Sequence, residues 1–190
     1  MKPRYAYLIR PVGSEYVNTK KVGETELTIN ATIENAKYVN RIGEVISAPD
    51  DSEQLKPGDI VIVHHNVFRT YLDMKGRKRK SNEYFRDENY LVPIERIYLY
   101  KRGDDWRALN HYCFIKPVEY RQESEILRTD EEEQHTGLVA YTNDYLESRG
   151  VNNGDSIGFT KNSEYEFNIE GEKLYRMQTQ DICLTITEKE

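Results

Sequence analysis

The sequence predicts an all-β protein made of two similar units in tandem. Tyrosine dominates the aromatic residues, with 15 copies against five phenylalanines and one tryptophan. This residue suits thin sheets because its ring can pack while its hydroxyl stays in water. Short apolar runs alternate with Gly, Pro, Asn and Asp turns, which is typical of strands. At 190 residues and 37% hydrophobic content, the chain can fill two modest cores.

One turn and strand in the first half carry the strongest local signal. Pro57 presets its φ angle and Gly58 tolerates a positive one, so together they predict a tight turn. The β-branched run at 60–63 then predicts a strand that is buried on both faces. Upstream, we expect strands at 5–11, which ends in a proline, and at 42–47.

The rest of the first half predicts a hairpin and two closing strands. Residues 64–84 hold two apolar arms around a basic tip, which indicates a hairpin. Residues 89–100 form two short apolar runs separated by Pro93. Residues 101–110 are polar and predict a linker, which places the first domain at 1–100 and the second, shorter domain at 111–190.

Landmarks of the first half recur in the same order in the second half. The offset between matched positions falls from 106 at the first landmark to 85 at the last, which predicts shorter loops in the second unit. Matched landmarks in one order are typical of tandem β-barrels. The matched positions are Pro11 and Pro117 (offset 106), Gly43 and Gly137 (94), Gly58 and Gly154 (96), and Ile97 and Ile182 (85).

The order of these motifs resembles the GroES-like co-chaperonin family. The resemblance rests on Gly43-Glu44-Val45, on the turn and strand at 56–62, and on the closing segment at 92–99. It covers about residues 5–100 and, more faintly, 112–187. The long hairpin and the tandem layout look most like divergent relatives carried by bacteriophages.

This resemblance implies two tandem GroES-like, partly open Greek-key β-barrels. It also implies a ring-shaped homo-oligomer that caps a chaperonin ring and assists protein folding. The cytoplasm, here the host cytoplasm of a bacteriophage, is the implied location. Two alternatives stay open, because a fold does not fix a function. They are a virion-associated or scaffolding barrel without a chaperonin partner, and a nucleic-acid-binding module.

In the family, a flexible loop after the first strand carries a short aliphatic anchor for the chaperonin. The matching segment is 14–38, and the resemblance implies Leu27, Thr28 and Ile29 as the anchor, with Ile33 as a further contact. A polar segment with one aliphatic island buries too little surface to order itself, which favours folding on a partner. The alternative is an extra strand at 25–33 whose Leu27 and Ile29 face the barrel.

A basic run at the hairpin tip is a second candidate contact. Cations next to aromatic residues form surfaces for anions or single-stranded nucleic acid. The alternative is a solvated hairpin tip, and the net charge of −6 argues against a nucleic-acid or anionic-membrane surface over the whole protein. The cations of this run are Lys75, Arg77, Lys78, Arg79 and Lys80.

No motif in the chain indicates catalysis or a bound cofactor. The sequence lacks a phosphate-binding Gly-rich loop, a nucleophile elbow and a zincin helix. We therefore expect that the protein is not an enzyme and that it binds no cofactor. His64 and His65 would point to opposite faces of a strand, which argues against a metal site.

Cys113 and Cys183 lie in apolar strand-like runs and are expected to be buried thiols, with a disulfide or metal pair as the alternative. No apolar stretch of membrane-spanning length occurs.

Overall fold

The prediction of an all-β protein is confirmed. A computed structural model describes residues 1–13, 19–22, 25–28, 39–119 and 132–186, and within these ranges it consists of antiparallel sheets, one short α-helix and two 3₁₀ turns. The chain divides into two compact units, Met1–Asp105 and Trp106–Glu190. The boundary lies inside the segment 101–110 in which the sequence places it.

The first unit has one main sheet and two small hairpins. From its β10 edge, the main sheet has the order β10-β5-β4-β1-β9-β8, and β11 carries the chain across the boundary. β2 pairs with β3, and β6 pairs with β7, each in a separate two-stranded sheet. The strands are β1 (Tyr7–Pro11), β2 (Thr19–Val22), β3 (Thr25–Thr28), β4 (Ile42–Ser47), β5 (Ile60–Val63), β6 (Thr70–Leu72), β7 (Lys78–Lys80), β8 (Tyr84–Arg86), β9 (Asn89–Val92), β10 (Ile97–Arg102) and β11 (Asp105–Ala108).

The second unit repeats this main sheet. Its order is β17-β14-β13-β12-β16-β15, so each strand takes the place of its counterpart in the first unit. The elements are β12 (Tyr112–Glu119), β13 (Glu132–Tyr141), α1 (Asp144–Ser148), β14 (Ser156–Phe159), β15 (Tyr165–Ile169), β16 (Glu172–Gln178) and β17 (Ile182–Ile186).

Strand registers reproduce the offsets read from the sequence. In the first unit, Pro11 lies opposite Gly43, and the register shifts just before Ile9. In the second unit, Pro117 lies opposite Gly137, and the register shifts at the equivalent place, just before Ile115. The closing strands agree as well: β10 pairs with β5, and β17 with β14, in the same register and with the same irregularity.

Two equivalent glycines allow the first two strands of each main sheet to approach closely. A Cβ atom on Gly43 would lie 2.5 Å from Ile9 Cγ2 and 2.9 Å from Phe68 Cζ. A Cβ atom on Gly137 would collide with Ile115 Cγ2. Real side chains do not approach so closely, so any other residue at either position would force its neighbours to shift.

The predicted tight turn before β5 is present. Gly58 has a φ angle of +92°. Its N–H donates to Val45 O at 2.8 Å, and Val45 N–H donates back to Asp59 O at 2.9 Å. The Asp59 carboxylate accepts from the backbone N–H of Lys56 at 2.7 Å, which closes the turn.

The second unit contains the same turn with different residues. Gly154 has a φ angle of +93°, and its N–H donates to Val139 O at 2.7 Å. The Asp155 carboxylate accepts from Asn152 N–H at 2.7 Å. The common elements are therefore the glycine and the aspartate after it, whereas the proline of the first turn is dispensable.

Each unit has its own apolar core. β5 is buried on both faces, as expected, because its consecutive residues Val61, Ile62 and Val63 are all buried. In the first unit the most deeply buried residues include Ile9, Val45, Val61, Phe68, Tyr90, Ile97 and Leu99. The core of the second unit includes Cys113, Ile115, Val139, Leu146, Ile157, Phe159 and Met177.

Three details differ from the sequence-based expectations. Most of the expected linker at 101–110 is β-structure, because Gly103 adopts a φ angle of +66° and forms a turn between β10 and β11. The helix α1 was not expected. Cys183 is exposed on β17, whereas Cys113 is buried as expected, and both are free thiols.

The helix α1 has a sequence signal that can be recognised afterwards. Asn143 caps its first turn by accepting from Leu146 N–H at 2.9 Å. The same side chain donates to Tyr112 O at 2.7 Å, which fixes the helix to the start of β12. Gly150 follows the helix at a φ angle of +80°. An Asn before the helix and a Gly after it are typical helix boundaries.

Candidate interaction sites

The connection between β1 and β4 contains a small hairpin of its own. β2 and β3 pair with Lys20 opposite Leu27 and Thr19 opposite Thr28, and neither strand belongs to the main sheet. Two of the four expected anchor residues, Leu27 and Thr28, thus lie on β3. Ile29 and Ile33 lie outside the described residues. Residues 25–28 form a strand, which is the part of the alternative strand at 25–33 that the structure describes; among the described residues its ladder partner is β2.

Asn40 holds together the two ends of this connection. Its Nδ2 donates to Val12 O at 2.7 Å, and its Oδ1 accepts from Ile42 N–H at 2.9 Å. Val12 N–H donates to Ile42 O at 2.9 Å. Because Asn40 is buried, these hydrogen bonds are shielded from water. The connection therefore leaves the main sheet and returns to it at one fixed point.

The equivalent connection of the second unit starts differently. β12 and β13 continue to pair beyond the shared register and reach Glu119 opposite Glu132. Residues 120–131 lie outside the described residues. The two strands thus extend by pairing with each other, whereas in the first unit β1 ends at Pro11.

The predicted basic hairpin is present and is formed by β6 and β7. The expectation of two apolar arms is wrong for the second arm: Tyr84 and Phe85 lie on β8, which pairs with β9, and the second strand of the hairpin is part of the basic run itself. Tyr71 lies opposite Arg79 and Leu72 opposite Lys78, and the chain reverses with Gly76 at a φ angle of +71°. Residues 74–79 are all exposed, so the expectation of an exposed tip is confirmed.

One carboxylate organises this tip. Asp73 accepts from the backbone N–H groups of Lys75 and Arg77, both at 2.9 Å. It also accepts from the Nε atoms of Arg77 at 2.9 Å and Arg79 at 3.3 Å. The backbone N–H of Arg77 is the main cause of the lowered pKa of Asp73; desolvation opposes it, and the other three hydrogen bonds add to it. Asp73 thus stays ionised and partly neutralises the cations around it.

A second ion pair reduces the free charge of the run further. Lys80 Nζ lies 3.1 Å from the Glu88 carboxylate. Among the residues that the structure describes, Lys75 and Lys78 form no ion pair through their side chains. Two of the five expected cations are therefore available to an external anion, which is a weaker site than the sequence alone suggests.

A polar pocket that the sequence did not predict lies beside β6. Its volume is about 540 Å³, and its lining includes Asn66, Arg69, Tyr71, Glu83 and Arg96. These residues come from three separate parts of the first unit, at 66–71, 83 and 96, and follow no motif. The only available signal was the density of polar residues around an otherwise apolar segment.

The adjacent histidines do not lie as expected. His64 and His65 follow the end of β5, and their rings stack with centroids 4.1 Å apart. The argument from opposite faces of a strand was wrong, because the chain has left the strand at this point. Within the described ranges, no group of three or more His, Cys, Asp or Glu side chains could hold a metal ion. Nor does any helix in those ranges have the length and apolarity to cross a bilayer.

Comparison with models of known protein families and with curated proteins gives no match. The features of the structure that bear on function are the repeat, the two hairpins that lie outside the main sheet of the first unit, and the polar pocket.

Proposed function

We propose that this chain is a co-chaperonin-like lid component that binds a chaperonin ring and assists protein folding. In this proposal, both units are GroES-like, partly open Greek-key barrels, and several copies assemble into a ring. The observation that carries it is the identical strand order of the two units combined with a β2–β3 excursion in the first. The resemblance of the sequence motifs supports the same assignment.

The β2–β3 hairpin is the proposed contact with the chaperonin. It lies outside the main sheet, so a partner can bind it without displacing a sheet strand. Asn40 fixes the base of the connection, which leaves the fold of the main sheet independent of the contact. Burial of Leu27 and Ile29 in an apolar groove would each contribute about 1.5–3 kcal/mol before the cost of ordering the segment.

The second unit is a poorer candidate for this contact. The aliphatic pair Ile126-Leu127 stands in a segment crowded with carboxylates between Glu123 and Glu133. Moving these charges towards an apolar groove adds desolvation cost and self-repulsion. We therefore assign the second unit the role of spacer or ring partner.

Co-purification with a bacterial GroEL-type chaperonin, with and without nucleotide, tests this function. The wild-type protein should be captured in the presence of nucleotide. Leu27→Asp combined with Ile29→Asp should abolish capture, because two charges replace the apolar contact. Ile126→Asp combined with Leu127→Asp is the matched control and should be captured nearly as well as wild type.

Native mass spectrometry and circular dichroism should accompany the capture experiment. We expect a discrete homo-oligomer for the wild-type protein and for both double variants, with unchanged β content. A monomeric protein, or no capture by the chaperonin under any nucleotide condition, would refute the lid assignment and favour a scaffolding barrel. Greater damage from the control variant would place the contact in the second unit.

A further inference from the structure

The pocket beside β6 contains two buried polar atoms that lack hydrogen-bond partners. Within the described part of the chain, Arg69 Nε and Asn66 Oδ1 are both covered and unpaired. The backbone around them is fixed: Val67 and Phe68 are fully buried, and Val67 N–H donates to His64 O at 2.9 Å. Asn66 and Arg69 line the same pocket, and each carries a covered polar atom without a partner among the described residues, which is unfavourable.

The other charges of the pocket leave Arg69 uncompensated. Arg96 Nη1 lies 3.2 Å from Glu83 Oε1, and the Glu83 side chain is only 11% exposed. This pair is internally neutral, so the lining carries one net positive charge, that of Arg69. A single guanidinium matches a monoanion better than a phosphate dianion, and its planar fork fits a carboxylate.

Asn66 adds a second requirement for the ligand. Its Oδ1 accepts hydrogen bonds, so the ligand should present an N–H or O–H group close to its carboxylate. Tyr71 and Leu72, both partly exposed, provide apolar surface at the edge of the pocket. An N-acylated amino acid or the C-terminal residue of a polypeptide combines these features, since its carboxylate stands next to an amide N–H.

We propose that this pocket binds a carboxylate that has an adjacent amide N–H. Arg69 holds the carboxylate and Asn66 accepts from the N–H. Because Arg69 Nε and Asn66 Oδ1 are both covered in the free protein, both side chains rotate towards the pocket when the ligand enters. The bound state then satisfies both atoms that the free state leaves unpaired. This site is independent of the proposed chaperonin contact, which involves neither residue.

Titration of the full-length ¹⁵N-labelled protein with N-acetylglycine, monitored by NMR, tests the proposal. We expect saturable binding with a Kd on the order of 1 mM, a value suited to so small a ligand. Shifts should concentrate on the amides of Asn66, Tyr71 and Asn82, which also lines the pocket, and on the Nε–Hε signal of Arg69. N-acetylglycinamide, which lacks the carboxylate, should produce no saturable shifts.

Matched arginine variants separate the site from general charge effects. Arg69→Gln should weaken binding at least about tenfold, because the charge-assisted hydrogen bonds are lost. Arg86→Gln removes an exposed arginine of the same unit and should bind like wild type. If Arg69→Gln fails to fold, Arg69→Lys keeps the charge without the fork and should show the same loss.

Three results would overturn the proposal. The first is the absence of saturable shifts at the pocket in the wild-type protein. The second is equal binding of N-acetylglycine and its amide, since the carboxylate would then contribute nothing. The third is tighter binding of inorganic phosphate than of N-acetylglycine, which would reassign the pocket to phosphate.

Discussion

Arg102 donates two hydrogen bonds to the carboxylate of Asp59, from Nε to Oδ1 at 2.9 Å and from Nη2 to Oδ2 at 2.7 Å. The Asp59 side chain is 4% exposed, and its hydrogen bond is the main cause of the raised pKa of Arg102. Arg102 also donates to Gln54 O at 2.9 Å. Arg102 thus links the end of β10 to the turn before β5.

The repeat provides an internal control for this ion pair. In the second unit, Asp155 closes the equivalent turn. The position that corresponds to Arg102, at the 85-residue offset that relates Ile97 to Ile182, holds Thr187 instead of an arginine. We expect Asp59→Asn to destabilise the protein by about 1.5–3 kcal/mol, since hydrogen bonds to a charged group are lost. Asp155→Asn should cost less than about 1 kcal/mol. Urea unfolding measures the loss of stability in each variant. Hydrogen exchange at the Lys56 amide and at the Asn152 amide shows which of the two units is destabilised. Equal losses would contradict this account.

The close approach at Gly43 predicts a second stability effect. Gly43→Ala should cost about 1–3 kcal/mol, because its new Cβ atom would overlap Ile9 Cγ2. Gly137→Ala should cost a similar amount in the second unit. Glu44→Ala, at an exposed neighbouring position, serves as the control and should be close to neutral. Thermal unfolding compares the three variants, and a neutral Gly43→Ala would argue against the strand register.

The repeat could be predicted from the sequence because its landmarks are local and physical. Gly43 and Gly137 are needed for close approach, and Gly58 and Gly154 are needed for a positive φ angle, so these residues mark the same place in both units. The strand structure in the segment 101–110 is not predictable in this way because the strands there are short and polar. Hydrophobic alternation is absent there, and alternation is the main sequence signal for a strand.

The interaction sites were harder to predict than the fold. Asp73 partly neutralises the basic tip through contacts that depend on the hairpin geometry, which spacing alone does not reveal. Asn66 and Arg69 meet Glu83 and Arg96 only in the folded chain. Polar pockets are built by topology from distant residues, so a single sequence gives them no motif.

The Asp73 cluster predicts a local pH dependence at the hairpin tip. Because the pKa of Asp73 is lowered in the folded state, its stabilising effect is present above the unfolded pKa of about 3.9 and is lost as the pH falls through the lower folded value. NMR shifts of the Lys75 and Arg77 amides should therefore titrate with a midpoint below 3.9. A midpoint at or above the ordinary aspartate value would show that these hydrogen bonds do not persist in solution.

The two thiols should react very differently. Burial raises the pKa of Cys113 to about 12, so almost no thiolate forms at pH 8, whereas Cys183 is exposed. Ellman's reagent should modify one thiol rapidly in the native protein and two in denaturant. Cys183→Ser should remove the rapid phase. A rapid phase that persists in this variant would place Cys113 at the surface.

The raised pKa of Cys113 also predicts that the protein becomes less stable at alkaline pH. Its folded pKa is raised, so the native state holds the proton more tightly than the unfolded chain does. The free energy of unfolding should consequently fall as the pH rises from about 9 towards 12. Cys113→Ala should flatten this part of the pH profile measured by urea unfolding. An unchanged profile would assign the alkaline loss to other groups.

The lid assignment is tested most directly by site-specific photo-crosslinking to a GroEL-type chaperonin. One sample carries a photo-crosslinking amino acid in place of Thr28 on β3, and the control carries it in place of Leu127. The account predicts a nucleotide-dependent crosslink to the chaperonin from position 28 and little or none from position 127. Crosslinking from position 127 alone, or from neither position while the protein remains folded and assembled, would contradict it.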